Sequence, residues 1–263
     1  MIRNLLFSIL LLATPSLALA SVTTDKLVIN GREHVMSLYD ETPGSAKKPG
    51  LLLVPEYWGK DKLIEAHAKR FAKQGYFVFV VDLYGDERHS NKSKEADKLQ
   101  EDAEKNGMDP LFDLVTKSME ALRARPEVDA TKVAAVGFGY GAGLLLNAAK
   151  RGGAGFKAAV LFYGGVNNLK VTSQVTPLPA LLYVRAEKDV YTTKADFEQF
   201  ERDMAKTAFS LEIFRLKDAH YGFVNEGIEA YGGDDGKTFM FYEPKEAKLA
   251  WKKVDEFLKS KLK

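Results

Sequence analysis

Near the middle of the chain, residues 133–143 read Val-Ala-Ala-Val-Gly-Phe-Gly-Tyr-Gly-Ala-Gly, and this stretch decides the fold. The apolar run that ends at Val136 is typical of a buried strand, and a helical pattern begins at Ala142. Glycines between the two let a strand and a helix approach closely around a sharp turn. The stretch therefore predicts a strand–turn–helix unit of the nucleophile-elbow type, with Gly139 at the position that normally carries serine or cysteine.

A dinucleotide-binding fingerprint is the alternative interpretation of the same glycines. Gly137 and Gly139 begin that pattern, and Ala142 is an allowed variant of its third glycine. The fingerprint usually belongs to the first strand–helix–strand unit of a domain and is followed about 20 residues later by a carboxylate. Here the stretch lies in mid-chain and position 159 is alanine. These two departures favour the elbow.

Strands and helices alternate on both sides of this unit. Segments rich in apolar residues predict strands at 26–29, 34–39, 51–54, 76–81, 133–136, 158–162, 180–184 and 210–216, and the run at 51–54 is continuously apolar. Segments of helical periodicity predict helices at 61–74, 95–105, 110–124, 142–150, 194–205 and 243–262. The first two strands flank Asn30-Gly31, which is typical of a hairpin turn. We therefore expect an α/β fold: a doubly wound, mostly parallel sheet with helices on both faces and an N-terminal β-hairpin.

Composition and charge exclude several classes of protein. The chain has 263 residues, of which 46% are hydrophobic and 28% charged, so an intrinsically disordered chain is excluded. Lys+Arg 38 against Asp+Glu 36 gives a net charge of +2, which predicts no nucleic-acid partner. Because Cys is 0, thiol catalysis and cysteine-ligated metals are excluded. Asp234-Asp235 is typical of a turn rather than a calcium site, and we predict no metal and no cofactor.

The first twenty residues have the pattern of a secretory signal peptide. Arg3 supplies a positive charge, residues 5–12 are mostly apolar, and Ala18-Leu19-Ala20 fits the small-residue cleavage site. A membrane anchor is the alternative, but Pro15 interrupts an apolar stretch that is already short for a spanning helix. We expect cleavage before Ser21, export to the periplasm or medium without stable membrane insertion, and a single domain over residues 21–263.

Two polar residues follow the last strands of the predicted sheet. Asp189 comes after the strand at 180–184, and His220 comes after the strand at 210–216. In open α/β sheets, ligands bind at the carboxyl ends of the strands. The chain order of elbow, acid and histidine is the order found in α/β-hydrolases. We therefore predict that Asp189 orients His220 near Gly139.

The chain resembles the dienelactone hydrolase family of α/β-hydrolases over roughly residues 26–262. The segments that carry the resemblance are 54–59 (Val-Pro-Glu-Tyr-Trp-Gly), 82–84 (Asp-Leu-Tyr), the elbow frame, 187–189, 220–223, and Ala250-Trp251 with Phe257 in the last helix. The resemblance implies hydrolysis of lactones or small esters without metal. It also implies a cysteine nucleophile, an aspartate, a histidine and a glutamate in the cleft.

The resemblance assigns a role to each matching position. Glu56 matches the cleft carboxylate, Asp189 the acid of the triad, His220 its base, and Gly139 the vacated nucleophile position. The backbone N–H groups of the residues after Glu56 and Gly139, Tyr57 and Tyr140, are the expected oxyanion donors. Four further residues are expected to contact the substrate: Trp58, Tyr84, Arg88 and Tyr221.

Gly139 is the main departure from the family pattern. Glycine has no side chain, so no acyl-enzyme forms at this position. An elbow residue other than glycine sits in a strained backbone conformation that costs on the order of 1–3 kcal/mol. Glycine adopts such a conformation without that cost, so a member that no longer needs catalysis gains stability from the substitution.

Two other departures bear on the substrate. Asp86 and Glu87 precede Arg88 and oppose an anionic ligand, so the dienelactone substrate itself is not expected. Tyr221 separates His220 from Gly222-Phe223, whereas many family members have histidine directly before Gly-Phe.

Three hypotheses follow. In the first, the protein is a hydrolase in which His220 activates a water in the space vacated at Gly139, or in which Tyr140 or Ser90 is a displaced nucleophile. In the second, it is a non-catalytic small-molecule-binding protein whose cleft is lined by aromatic residues: Tyr57, Trp58, Tyr84, Tyr140 and Tyr221. In the third, it is a structural or partner-binding protein, for which the only support is the missing nucleophile.

Overall fold

The computed structural model describes residues 21–42, 44, 46–151, 155–166, 178–232 and 239–263. The strands in these ranges are β1 (Ser21–Ile29), β2 (Arg32–Asp40), β3 (Lys48–Val54), β4 (Phe77–Val80), β5 (Val128–Phe138), β6 (Ala158–Phe162), β7 (Ala180–Ala186) and β8 (Ser210–Leu216). The α-helices are α1 (Lys62–Ala72), α2 (Ser93–Glu104), α3 (Asp109–Ala124), α4 (Tyr140–Lys150), α5 (Lys194–Met204) and α6 (Pro244–Lys261). A short 3-10 helix covers Ile228–Ala230. The predicted signal peptide and Asp234-Asp235 lie outside the described residues.

The eight strands form one sheet in the order β1-β2-β4-β3-β5-β6-β7-β8. The strand β2 pairs antiparallel with β1 and β4, and every later pair is parallel. At the hairpin turn, Asn30 and Gly31 have φ of 52° and 79°, as a tight two-residue turn requires. The predicted doubly wound, mostly parallel α/β sheet with an N-terminal hairpin is confirmed.

The central strands are buried on both faces, which explains their unbroken apolar sequences. Every residue from Leu51 to Val54, and every residue of β6, is fully or almost fully buried. Helices α1 and α6 cover one face of the sheet, while α3, α4 and α5 cover the other. The carboxyl ends of the parallel strands therefore meet at one open edge, where ligands bind in this class of sheet.

Several elements extend beyond their apolar runs. The strand β5 begins at Val128 rather than at residue 133, because Lys48 and Pro49 of β3 pair with Val128 and Asp129 before a register shift. The helix α4 begins at Tyr140, directly after the glycine of the turn. In β5, Asp129, Thr131 and Lys132 interrupt the apolar pattern, so periodicity alone places the start of this strand too late.

None of the helices in the described ranges combines the length and the apolar character needed to cross a membrane.

Candidate active site

The strand–turn–helix unit at the end of β5 has the geometry of an elbow. Gly139, between Phe138 and Tyr140, has φ 49° and ψ −114°, a conformation that side-chain-bearing residues rarely adopt. A Cβ atom at Gly137 would lie 2.7 Å from the Cα of Ala142, so glycine is needed for the helix to pack this close to the strand. The turn therefore places position 139 at the carboxyl edge of the sheet.

A cleft of about 290 Å³ opens above this turn. Four tyrosines, three glycines and four other residues line it: Tyr57, Tyr140, Tyr191, Tyr221, Gly139, Gly164, Gly165, Asp97, Gln100, Thr192 and Met240. Glycines form part of its wall, so a ligand can approach the backbone at this edge of the sheet closely.

The two expected oxyanion donors belong to residues on this cleft. Tyr57 directly follows Glu56, and Tyr140 is the first residue of α4. The N–H groups in the first turn of a helix have no partner within the helix and carry its positive dipole end. The hydroxyl of Tyr84 donates to the carbonyl of Tyr57 at 2.6 Å and fixes that residue from behind. Tyr57 and Tyr140 thus both line this cleft.

The carboxyl group of Glu56 lies beneath the cleft in a buried polar network. Its Oε1 accepts hydrogen bonds from the Tyr163 hydroxyl at 2.9 Å and from Asn225 Nδ2 at 2.7 Å. The Oδ1 of Asn225 accepts a hydrogen bond from His67 Nε2 at 2.6 Å. In the described part of the chain, Glu56 Oε2 is buried and has no hydrogen-bond partner that meets normal geometry. One oxygen of this carboxyl is therefore held in place and the other is available.

Burial sets the protonation of this network. Loss of solvent raises the pKa of Glu56 from 4.5 to about 7, against the opposing effect of hydrogen bonds from Tyr163, Asn225 and Tyr221. Burial also lowers the pKa of His67 to about 4, so this histidine is neutral. Its ring stacks on Phe138 with centroids 4.7 Å apart. Glu56 is therefore the carboxyl at this site whose proton changes near neutral pH.

Asp189 lies in the turn after β7, as predicted, and is held by local contacts. Its Oδ1 accepts hydrogen bonds from the backbone N–H of Tyr191 at 2.8 Å and of Thr192 at 3.2 Å. The guanidinium of Arg185 lies 3.5 Å from Oδ2. Burial, the largest influence, raises the pKa of Asp189 above its usual value. The negative charge of Asp189 contributes to a raised pKa of Tyr221, so the two side chains are close enough to interact.

His220 is hydrogen-bonded to Glu243 and not to Asp189. Its Nδ1 donates to Glu243 Oε1 at 2.8 Å, and its backbone N–H donates to Glu243 Oε2 at 2.7 Å. Its ring packs edge-on against Phe241, with centroids 5.0 Å apart. The structure thus corrects the prediction that Asp189 orients His220 near Gly139. In the segment after β8, the side chain directed at the cleft is that of the next residue, Tyr221.

The side chain of Tyr221 fills the space above Gly139. A Cβ atom at position 139 would lie about one covalent bond length from the Tyr221 hydroxyl oxygen and 2.9 Å from its Cζ. The ring is 8% exposed and packs against Tyr163 and Tyr191. Tyr221 was expected to contact the substrate, and its side chain lines the cleft. It also stands directly before Gly222-Phe223, where the resemblance puts a histidine.

Three of the residues that were expected to contact the substrate are not part of the cleft lining. Trp58 is 1% exposed and packs between Tyr57 and Tyr231, and Tyr84 is fully buried behind Tyr57. Arg88 donates to the carbonyl of Tyr84 and pairs with Asp102 at 3.0 Å. The structure corrects these three assignments, because each side chain is already engaged by the protein.

The sequence alone does not point to several residues of the candidate site. Tyr163 and Asn225 hold Glu56, and Tyr191 lines the cleft, yet none belongs to a recognisable motif. Tyr163 directly follows β6 and has a φ of 27°, a strained value for a residue other than glycine. The sequence feature that could have identified Tyr163 as a site residue is its position directly after the strand predicted at 158–162. Ser90, considered as a displaced nucleophile, instead donates to Glu95 at 2.6 Å.

No group of three or more histidine or carboxylate residues is arranged to hold a metal ion within the described ranges.

The fold and the elbow define an α/β-hydrolase. The model of the dienelactone hydrolase family matches residues 36–262, and the chain belongs to that family. No curated protein matches the chain in sequence.

Solved structures share the fold. A dienelactone-hydrolase-like promiscuous phosphotriesterase from metagenomic libraries is 18% identical, with a TM-score of 0.80 over 93% of this chain and 99% of that chain. A putative dienelactone hydrolase from Klebsiella pneumoniae subsp. pneumoniae is 18% identical, with a TM-score of 0.64 over 90% and 98%. Esterase 2 of Thermogutta terrifontis, phosphonylated by sarin, is 17% identical, with a TM-score of 0.58 over 94% and 98%.

Proposed function

We propose that the protein hydrolyses small carboxylic esters or lactones in the cleft above Gly139. The observation that carries the proposal is the joint position of Tyr57 and Tyr140 at the cleft, where their backbone N–H groups can receive a substrate carbonyl oxygen. Donors placed in advance for a developing oxyanion are commonly a large contribution to ester hydrolysis. Membership in a family of hydrolases supports the same chemistry.

Glu56, rather than His220, is the acid–base group of the proposal. A carboxyl with a pKa of about 7 is half ionised at neutral pH, which suits a general base. His220 is directed at Glu243, and Gly139 has no side chain to attack a carbonyl. The family's cysteine route is therefore replaced in this chain by chemistry that depends on Glu56.

The cleft favours a neutral substrate. Its described lining contains Asp97 but neither lysine nor arginine, and Arg88, which was expected to contact the substrate, is paired with Asp102. An anionic lactone would meet no positive charge there. Tyrosine rings offer apolar faces and polar edges to a small ester of moderate hydrophobicity.

The second candidate is a non-catalytic protein that binds a small molecule in the same cleft. The observation that favours it is the side chain of Tyr221, which occupies the space above Gly139 while His220 is bonded to Glu243.

Export of the protein after cleavage before Ser21 is a further part of our proposal. It rests on the charge and apolar pattern of residues 1–20, and the mass of the mature protein recovered from the periplasm or medium tests it.

Turnover of p-nitrophenyl acetate and of a neutral lactone tests the hydrolase. We expect kcat/KM to rise with pH through about 7, because Glu56 must be ionised to accept a proton. Glu56→Gln is expected to lower kcat/KM by ~10²–10⁴-fold. His220→Ala is the matched control, and its rate is expected to stay close to wild type. Binding of the ester without turnover above the Glu56→Gln background would instead support the second candidate.

A further inference from the structure

The phenol oxygen of Tyr221 stands where the atom of a nucleophile would stand. It lies about a carbon–sulfur bond length from the position that a Cβ atom at Gly139 would take. Tyr221 also lines the cleft, together with Tyr57 and Tyr140, whose N–H groups are the expected oxyanion donors. The hydroxyl that Gly139 cannot supply is therefore present at the elbow, carried by another strand end.

Tyr221 also stands between Glu56 and the cleft. Glu56 borders a separate void of about 10 Å³ with Trp58, His67 and Asn225, rather than the cleft itself. The Cγ of Glu56 would lie 3.4 Å from the same Cβ position at Gly139. Within the described chain, Glu56 Oε2 is a buried oxygen left without a partner that meets normal geometry. Such an atom calls for an explanation, and the adjacent phenol supplies one.

We propose that Tyr221 is the nucleophile of this site and that Glu56 is its general base. This inference rests on the ester-hydrolase function proposed above. The Glu56 carboxylate takes the proton of the Tyr221 hydroxyl as Oη bonds to the substrate carbonyl carbon. The N–H groups of Tyr57 and Tyr140 hold the resulting oxyanion. When the oxyanion collapses, the carbon–oxygen bond to the leaving alcohol breaks, and the alcohol takes the proton from Glu56.

Release of the acyl group follows the same path in reverse. Glu56 takes a proton from water, the hydroxide adds to the acyl carbon, and the Tyr221 oxygen leaves and recovers the proton. The intermediate is an aryl ester, and because Glu56 returns the proton as the bond breaks, the Tyr221 oxygen leaves as a neutral phenol. No oxidant, metal or further reactant is required.

The charged surroundings of Tyr221 explain why it needs a base. Burial, followed by the negative charges of Glu56 and Asp189, raises the pKa of Tyr221 well above its usual value. The resting group is thus a neutral phenol, and its proton must leave as the new bond forms. On the other side of Glu56, Tyr163 and Asn225 fix Oε1 and leave Oε2 to act.

Covalent labelling tests the inference on the wild-type protein. We expect a fluorophosphonate probe to form one adduct, which peptide mass spectrometry maps to Tyr221, and p-nitrophenyl acetate to give a burst with a hydroxylamine-labile acetyl group on the same residue. Tyr221→Phe is expected to lose both adducts and at least about 100-fold in kcat. Tyr76→Phe is the matched control, since Tyr76 is a buried tyrosine in the turn before β4, outside the cleft.

The outcomes separate this inference from the proposed function. Turnover that persists in Tyr221→Phe, or that proceeds without a Tyr221 adduct, overturns the nucleophile and leaves ester hydrolysis standing. A stable Tyr221 adduct without turnover supports the nucleophile and contradicts hydrolysis. Absence of both adduct and turnover in a folded wild-type protein overturns both. Because the mapping uses the wild type, its result does not depend on how well Tyr221→Phe folds.

Discussion

At the scale of single residues, Gly139 and Tyr221 form one unit. The φ of 49° at Gly139 suits glycine, and the Tyr221 hydroxyl occupies the place where any Cβ would stand. Either residue alone would look like a random loss from the family pattern. Together they fill the elbow with a different functional group.

Restoring a cysteine at the elbow tests this packing. Gly139→Cys is expected to lower the free energy of unfolding by about 2–5 kcal/mol, because it adds backbone strain and a clash with Tyr221. Adding Tyr221→His to that variant removes the clash and puts an imidazole near Asp189. We expect the double variant to recover stability and to gain esterase activity over Gly139→Cys. Urea unfolding and p-nitrophenyl acetate turnover check this, and equal stability of the single variant and wild type would contradict it.

At the scale of elements, the segment between β8 and α6 decides which side chain reaches the cleft. Glu243, just before α6, binds both the ring and the backbone of His220, and its own N–H donates to the carbonyl of Phe223 at 3.0 Å. These bonds turn His220 outward and Tyr221 inward. We call these hydrogen bonds, which join Glu243 to His220 and Phe223, the Glu243 clamp. His220, which the sequence predicts to be catalytic, therefore has a structural role in this clamp.

A double-mutant cycle measures this clamp. His220→Ala and Glu243→Gln are each expected to lower the free energy of unfolding by about 1 kcal/mol, with a coupling energy of about 0.5 kcal/mol or more between them. Both side chains are about a quarter exposed, so solvent weakens the pair. Thermal unfolding of the four proteins gives the coupling. Additive effects would contradict the clamp, and a large loss of kcat in His220→Ala would restore its catalytic assignment.

The same segment shows what sequence reasoning reached and what it missed. The strands at 51–54, 158–162 and 180–184 follow from their apolar runs, because both faces of a parallel strand are buried. The sites of Glu56, Asp189 and Gly139 follow from strand ends. The choice between His220 and Tyr221 does not, since neighbouring residues in an extended segment point to opposite sides. Contacts with Glu243 and Gly139, which are distant in sequence, decide which of the two side chains reaches the cleft. The position of Tyr221 directly before Gly222-Phe223 is the sequence feature that points to it.

At the scale of the whole molecule, the network beneath the cleft links the site to stability. Glu56 has a raised pKa in the folded state and His67 a lowered one, and both are buried. The contribution of Glu56 is present below its unfolded pKa and is lost as the pH rises through about 7. That of His67 is present above its unfolded pKa and is lost as the pH falls through about 4. Both losses fall between about pH 4 and pH 7: Glu56 weakens the fold as the pH rises through this range, and His67 weakens it as the pH falls.

Glu56→Gln separates these two contributions. Relative to wild type, we expect its free energy of unfolding to increase between about pH 5 and pH 8 by on the order of 2–3 kcal/mol, because glutamine cannot become a buried charge. Urea denaturation across this range measures the difference. A difference that stays constant with pH would show that Glu56 titrates normally in the folded protein.

The crowding at the elbow also orders events in the ancestry of the chain. In its observed position, the Tyr221 hydroxyl overlaps the Cβ of any residue other than glycine at position 139, so the two side chains are costly to combine. In descent from a cysteine-bearing ancestor, the change to glycine therefore came before the tyrosine or with it. Once the ring was in place, reversion at 139 alone carried the cost of this overlap. Among living relatives, tyrosine at the place of 221 is accordingly expected only beside glycine at the place of 139.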